Sequence, residues 1–489
     1  MSFTSTEGKK VSQRITASVK KTSIKSLELW YDSNNDVKDK RPFWKNIIAV
    51  TIVILESYRE KGYRKKYYRT KYYRTKYYRT KYYGEKITEE RSMNKCKKAV
   101  SVLLIAAMLV LMLSGCGGKT VTTENTGSSE YRVCMITDAG DITDQSFNQT
   151  TYEACRDYCK EHDIDFTYKK PDGDTDYART AMVDVAVAEG YNILVMPGYV
   201  FAQTVVDTTF KYPDIKFIVL DMSAGDIGAA AVGNAYYDDP DAYNVADYYN
   251  TENTYLAIYQ EAIPGYLAGY TAVKLGYRHL GFLGGQAVPG VMRYGYGYVQ
   301  GIDAAAKEMG ITDDVTIEYA YGGQFYGSTE ITAAMDTWYS NGTEVVFACG
   351  GGIFTSAAEA AAKVGGKIIG VDSDQSPTID AYGEGMTVTS AMKSLTATVN
   401  SMLNSIIYDG TWEEHVGQVE NLGLVSKDDM SLNYVGLPED TTQWNDDFGV
   451  EDYKKLVADI FDGKVEVNNS TDEMPQVSVK LNVRQGTIK

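Results

Sequence analysis

Arg132-Val133-Cys134-Met135-Ile136-Thr137-Asp138-Ala139-Gly140-Asp141-Ile142-Thr143-Asp144-Gln145-Ser146-Phe147-Asn148-Gln149 opens the folded part of the chain. Its apolar run Arg132–Thr137 reads as a buried strand, the polar residues after it as a turn, and Asn148–Glu161 as a helix. The alternation continues downstream. Asn192–Met196, Phe217–Leu220, His279–Leu283, Val345–Ala348 and Lys367–Val371 are strand-like, while Tyr177–Ala188, Ile263–Leu275, Gly297–Met309, Ser328–Tyr339 and Thr355–Lys363 are helix-like. Asp176 and Ser328 are expected N-caps, and Gly190 and Gly276 expected stops. Strands alternating with helices predict an α/β fold with parallel sheets covered on both faces. About 300 residues of this pattern exceed one comfortable core, so two similar lobes are expected.

Open α/β sheets bind ligands beyond the carboxyl ends of their strands. The residues at those points are Asp138, Gly198-Tyr199 and Asp221, then Gly284-Gly285, Gly350-Gly351-Gly352 and Asp372. Acceptors and close-approach turns at one edge of each lobe suit capture of a small polar molecule. Other chemistries find no support. Asp172, Asp174 and Asp176 begin like a calcium loop, but Tyr177 and Val183 stand where Gly and Glu are needed. There is no Gly-x-Ser-x-Gly elbow, no P-loop and no CxxC pair, and the three histidines are far apart. No metal, cofactor or catalytic residue is expected. Cys134, Cys155, Cys159 and Cys349 read as ordinary buried thiols.

Several runs in order resemble the BMP (basic membrane protein) lipoproteins. They are the opening stretch 137–149, Tyr212-Pro213-Asp214-Ile215-Lys216-Phe217 leading to Asp221, and Tyr266-Leu267-Ala268-Gly269-Tyr270. Phe282-Leu283-Gly284-Gly285, Gly370-Val371-Asp372-Ser373-Asp374-Gln375 and Ser390-Ala391-Met392-Lys393 follow. The resemblance covers residues 131–430. It implies a type I periplasmic-binding-protein fold, with two parallel-sheet lobes joined by hinge crossings. It also implies a monomeric substrate-binding subunit of an ABC importer, with permease subunits as partners and a purine nucleoside as ligand. By the same resemblance Asp138 and Asp372 hydrogen-bond the ligand, Phe147 stacks on a purine, Asn148 assists, and Asp221 grips the ribose. Lys393 bonds the ligand or pins a carboxylate. Phe325 is the expected second stacking residue, with Tyr326 or Phe354 behind it. Tyr199, Arg293 and Gly350 complete the candidate ligand-binding set. Tyr294 stands where the family more often has Phe. A sugar or other neutral solute, a surface antigen and a nucleoside hydrolase remain the competing readings.

The chain upstream of this body differs from it in charge. Residues 1–115 hold 26 basic and 10 acidic residues, whereas the remainder holds 23 basic and 55 acidic. That acidic excess argues against nucleic acid as a partner, because phosphate binding needs concentrated Lys and Arg. Met93-Asn94-Lys95-Cys96-Lys97-Lys98 followed by apolar Ala99–Leu113 reads as a signal peptide, too short to span a ~30 Å bilayer core comfortably. Leu113-Ser114-Gly115-Cys116 resembles a bacterial lipobox, making Cys116 the expected site of lipidation. Residues 1–92, with Tyr-Tyr-Arg-Thr-Lys repeated from Tyr67, are expected to lie upstream of the true start at Met93. The expected divisions are signal 93–115, tether 116–130, first lobe 131–250, second lobe 251–372, crossings and lobe completion 373–435, and a C-terminal segment 436–489. Residues 236–255, rich in Tyr, Asp and Asn, read as an insertion that caps the cleft or meets a partner.

Overall fold

The computed structural model describes residues 130–138 and 140–488. The upstream repeats, the signal segment, Cys116 and most of the tether lie outside the described residues.

β1 (Arg132–Ile136) leads to α1 (Phe147–Glu161), β2 (Asp165–Lys169) to α2 (Asp176–Ala188), and β3 (Ile193–Pro197) to α3 (Ala202–Thr208). β4 (Lys216–Leu220) follows, then α4 (Ala224–Val232) and β5 (Thr254–Tyr259). Here α5 (Ala262–Lys274) carries the chain into a second sheet: β6 (His279–Gly284), α6 (Pro289–Met309), β7 (Thr316–Tyr321) and α7 (Thr329–Ser340). β8 (Val345–Cys349), α8 (Phe354–Ala361), β9 (Lys367–Asp372) and β10 (Thr387–Lys393) continue it. α9 (Leu395–Asn404) returns to the first lobe and β11 (Val419–Leu422). β12 (Val435–Gly436), α10 (Val450–Phe461) and β13 (Lys480–Thr487) belong to the second.

The first sheet runs β11-β5-β4-β3-β1-β2, all parallel. The second runs β12-β10-β9-β8-β6-β7-β13, parallel except for β12 on β10. All six expected strands are present within a residue of their expected ends. Buried on both faces, β3 and β8 read as unbroken apolar runs. The chain passes between sheets after β5, β10 and β11, giving three crossings.

Four expectations change. The first sheet extends past residue 250, because β5 pairs with β4 there. Thr175 rather than Asp176 caps α2, its side chain accepting from the Ala178 amide, while Asp176 turns to Arg179. α6 begins at Pro289, well before Gly297, since proline suits a first helical turn. Its glycines permit backbone contact with α5: a Cβ on Gly297 would lie 2.0 Å from the Ala262 carbonyl oxygen. Finally, 236–255 is no cap over the cleft. Tyr236 lies on Gly228 of α4, Tyr248 and Tyr249 pack on the first-lobe core, and the last two residues start β5.

The C-terminal segment finds a place as well. Phe448, Tyr453, Leu456 and Val457 join the large core. Beyond them, Asp303 of α6 accepts the Ser478 and Val479 amides and thereby aligns β13 beside β7.

Candidate functional site

The strand ends of the two lobes face each other across a cleft of about 920 Å³. Asp138, Phe147, Asn148, Tyr199, Asp221, Arg293, Phe325, Gly350, Asp372 and Lys393 all line it.

The first-lobe wall is built around Asp144. Its carboxylate accepts the backbone amides of Ser146, Asn148 and Gln149, each at 3.0 Å, and the Asn148 side-chain amide at 3.0 Å. It thus satisfies amides at the start of α1 that would otherwise lack partners. Asn148 also donates to Asp138 at 3.1 Å. This mesh fixes the loop and presents Phe147 to the cleft. Burial raises the pKa of both Asp138 and Asp144, although the bonds from Gly140, Gln149 and Asn148 oppose that rise.

The carboxylates at the ends of β4 and β9 form a matched pair. Asp221 and Asp372 adopt φ of 55° and 66°, a left-handed conformation uncommon for any residue but glycine. Both turn towards Lys393. Its ammonium stands 2.5 Å from Asp221, 3.5 Å from Glu261 and 3.6 Å from Asp372. The rings of Phe147, Tyr259 and Tyr294 surround it with centroids at 4.9, 5.4 and 5.6 Å. Burial works against the charge, but Asp221, Asp372 and Glu261 outweigh it and hold the ammonium's pKa above the ordinary lysine value. Asp221 is pushed up to about 6, by burial first and despite Lys393.

The second-lobe wall is made of glycine and aromatic surface. A Cβ on Gly285 would lie 2.4 Å from the Phe325 ring, and one on Gly350 would lie 2.9 Å from it. The ring therefore lies flush on the strand ends. Tyr294 is buried against Phe347, with ring centroids 5.9 Å apart, and its hydroxyl has no hydrogen-bond partner among the described residues. Behind this wall Glu261, fully buried, holds the Arg293 Nε at 2.5 Å. Burial disfavours its charge, yet Arg293 and Lys393 keep its pKa below the ordinary glutamate value. The lobes touch through Ser146 donating to Asp372 at 2.6 Å and Gln375 donating to the Gln145 carbonyl at 2.8 Å.

A family model described as Bmp, ABC transporter substrate-binding protein PnrA-like, matches residues 131–470. The chain belongs to the Bmp family. Among its Bmp relatives, the ABC transporter nucleoside-binding protein BmpA of Lactococcus lactis is 26% identical over 293 residues, which are 57% of this chain and 74% of that protein. Basic membrane protein A of Borreliella burgdorferi is 26% identical over 66% of this chain and 84% of its own. A solute-binding protein of an ABC transporter system from Conexibacter woesei superposes with a TM-score of 0.52 at 19% identity, covering 69% of this chain and 99% of that one. The Bmp fold is thus that of a periplasmic solute-binding protein. Membership implies a small-molecule ligand and permease partners. The lipoprotein names of two Pyrococcus relatives suggest a membrane-anchored, extracytoplasmic setting.

Set against this Bmp site, the ten candidates omitted Asp144, Ser146 and Glu261. The first two stood in the opening run, and an acidic residue just ahead of a helix is a capping signal. Glu261 carried no local signal, since its importance comes from Arg293 and Lys393, remote in sequence. Asp174 and Asp176 both bind Arg179, at 2.7 and 2.8 Å. The four cysteines of the described chain are free and buried.

Proposed function

We propose that this protein captures a purine nucleoside between its lobes and delivers it to an ABC permease, without chemically altering it. The observation that carries this reading is Asp221. One of its carboxylate oxygens is held by Lys393, and the other, Oδ1, is buried at the cleft with no hydrogen-bond partner among the described residues. An ionised carboxylate only accepts, so the vacant oxygen suits a sugar hydroxyl. Phe147 and Phe325 offer faces for a base, and stacking of this kind contributes roughly 1–3 kcal/mol per base. The name of the Lactococcus lactis relative supports the same class of ligand. Asp138, Asn148, Tyr199, Gly350 and Asp372 complete the ligand's surroundings. In this reading the protein is exported, anchored through a lipid on Cys116, and works as a monomer.

Thermal unfolding with inosine, guanosine, adenosine, free bases and sugars tests the proposal. A nucleoside should raise the midpoint in proportion to the logarithm of its concentration over Kd. If sugars shift the midpoint and nucleosides do not, the ligand class is wrong. Free base accumulating during incubation would show an enzyme.

A further inference from the structure

We propose that Glu261, a residue outside the cleft, is the determinant that keeps phosphorylated ligands out of it. The inference rests on the cleft being the solute site and adds how that site discriminates by charge.

Among the described residues three cations line the cleft, and each has a carboxylate partner. Lys170 meets Asp141 at 2.6 Å, Lys393 meets Asp221 at 2.5 Å, and Arg293 meets Glu261 at 2.5 Å. Of these three acids only Glu261 is absent from the lining, and it alone of the three is within 4 Å of a second cleft cation, Lys393 at 3.5 Å. Arg293 would otherwise be the natural phosphate receptor, because a guanidinium fork matches an anion's oxygens. With its charge balanced from behind, a phosphate entering the cleft meets aspartates and, among the described residues, no uncompensated cation. Glu261 sits at the first crossing, between β5 and α5, whereas Arg293 lies on α6 and Lys393 ends β10. One buried residue thus sets the charge presented by two elements.

The test compares inosine with inosine 5′-monophosphate by calorimetry, in wild type and in Glu261→Gln, which keeps the side chain's shape. Removing one charge within several ångströms of the phosphate should narrow the ratio of the two Kd values about ten-fold or more. A purely structural role would weaken both ligands together and leave the ratio fixed. That result overturns the proposal. Should Glu261→Gln not fold, Glu261→Asp keeps the charge but withdraws it from Arg293. A smaller narrowing is then expected, and an unchanged ratio overturns the idea. If wild type binds no inosine, the nucleoside reading fails by itself. Inorganic phosphate then serves as the probe in thermal unfolding: it should stabilise the variant more than the wild type, and equal responses overturn the role of Glu261.

Discussion

The two walls of the cleft are made differently. Among the described residues the first-lobe wall carries six aspartates, Asp138, Asp141, Asp144, Asp174, Asp221 and Asp226, against the single cation Lys170. Among the same described residues the second carries Asp372 as its only acid, beside Arg293, Lys393, three consecutive glycines and Phe325. One wall is shaped by hydrogen bonds around Asp144, the other by close approach of backbone to an aromatic ring. Opposite charge bias draws the lobes together where Lys393 meets Asp221. The base of the cleft is therefore an electrostatic joint between unlike surfaces, and a hinge closure works against it or with it.

Breaking that joint should have the largest effect. Lys393→Met leaves Asp221, Asp372 and Glu261 clustered without their shared cation. Removing one partner of a buried charge group typically costs about 3–5 kcal/mol, so urea unfolding should show a loss of that order. A loss confined to a few tenths would mean that the lobes do not depend on the joint. The next effect is on binding. Asp372→Ala removes the acceptor for Ser146 from the second wall while leaving the Lys393–Asp221 contact in place. Inosine affinity should weaken at least about ten-fold, or 1.4 kcal/mol, with cooperative unfolding retained. Unchanged affinity in calorimetry would remove Asp372 from the ligand's contacts.

The same contrast explains what was legible in the sequence. The α/β class, the paired lobes and the six strands followed from apolar runs whose burial on two faces leaves no alternation. Much of the first wall was readable because three of its six acids, with Phe147 and Asn148, fall in one short stretch, 138–148. The residues of the second were named as well, but the shape they make was not, because it arises from contacts between distant segments. Gly285 and Gly350 come together under the Phe325 ring only when β6 and β8 pair. Edge strands were hidden for another reason. β2 and β13 are half-exposed and polar, and β13 is fixed by Asp303, far away in sequence. Likewise the early start of α6 is a tertiary decision: glycines that weaken a helix locally are offset there by the contact with α5.

The smallest effect concerns pH, and it separates folding from binding at one residue. Asp221 is raised from 3.8 in the free side chain to about 6 in the folded protein, chiefly by burial, with Glu261 and Asp372 adding to the rise and Lys393 opposing it. Between those two values the folded state holds more of this proton than the unfolded one. Its contribution to stability is therefore complete below pH 3.8 and disappears as pH rises through about 6. Binding has the opposite sign. A sugar hydroxyl donates to the ionised carboxylate, so protonation removes the acceptor. If only the ionised form binds, lowering the pH from about 7.5 to 5.5 should weaken inosine roughly four-fold. Asp138 and Asp144, raised by burial on the same wall, are distinguished by Asp221→Asn, which should bind more weakly at pH 7.5 and lose most of the pH slope. A slope that survives in Asp221→Asn moves the titrating acceptor from the strand end to the loop around Asp144. The first wall would still hold the titrating group, but it would act through the turn that presents Phe147 and not through the joint with Lys393.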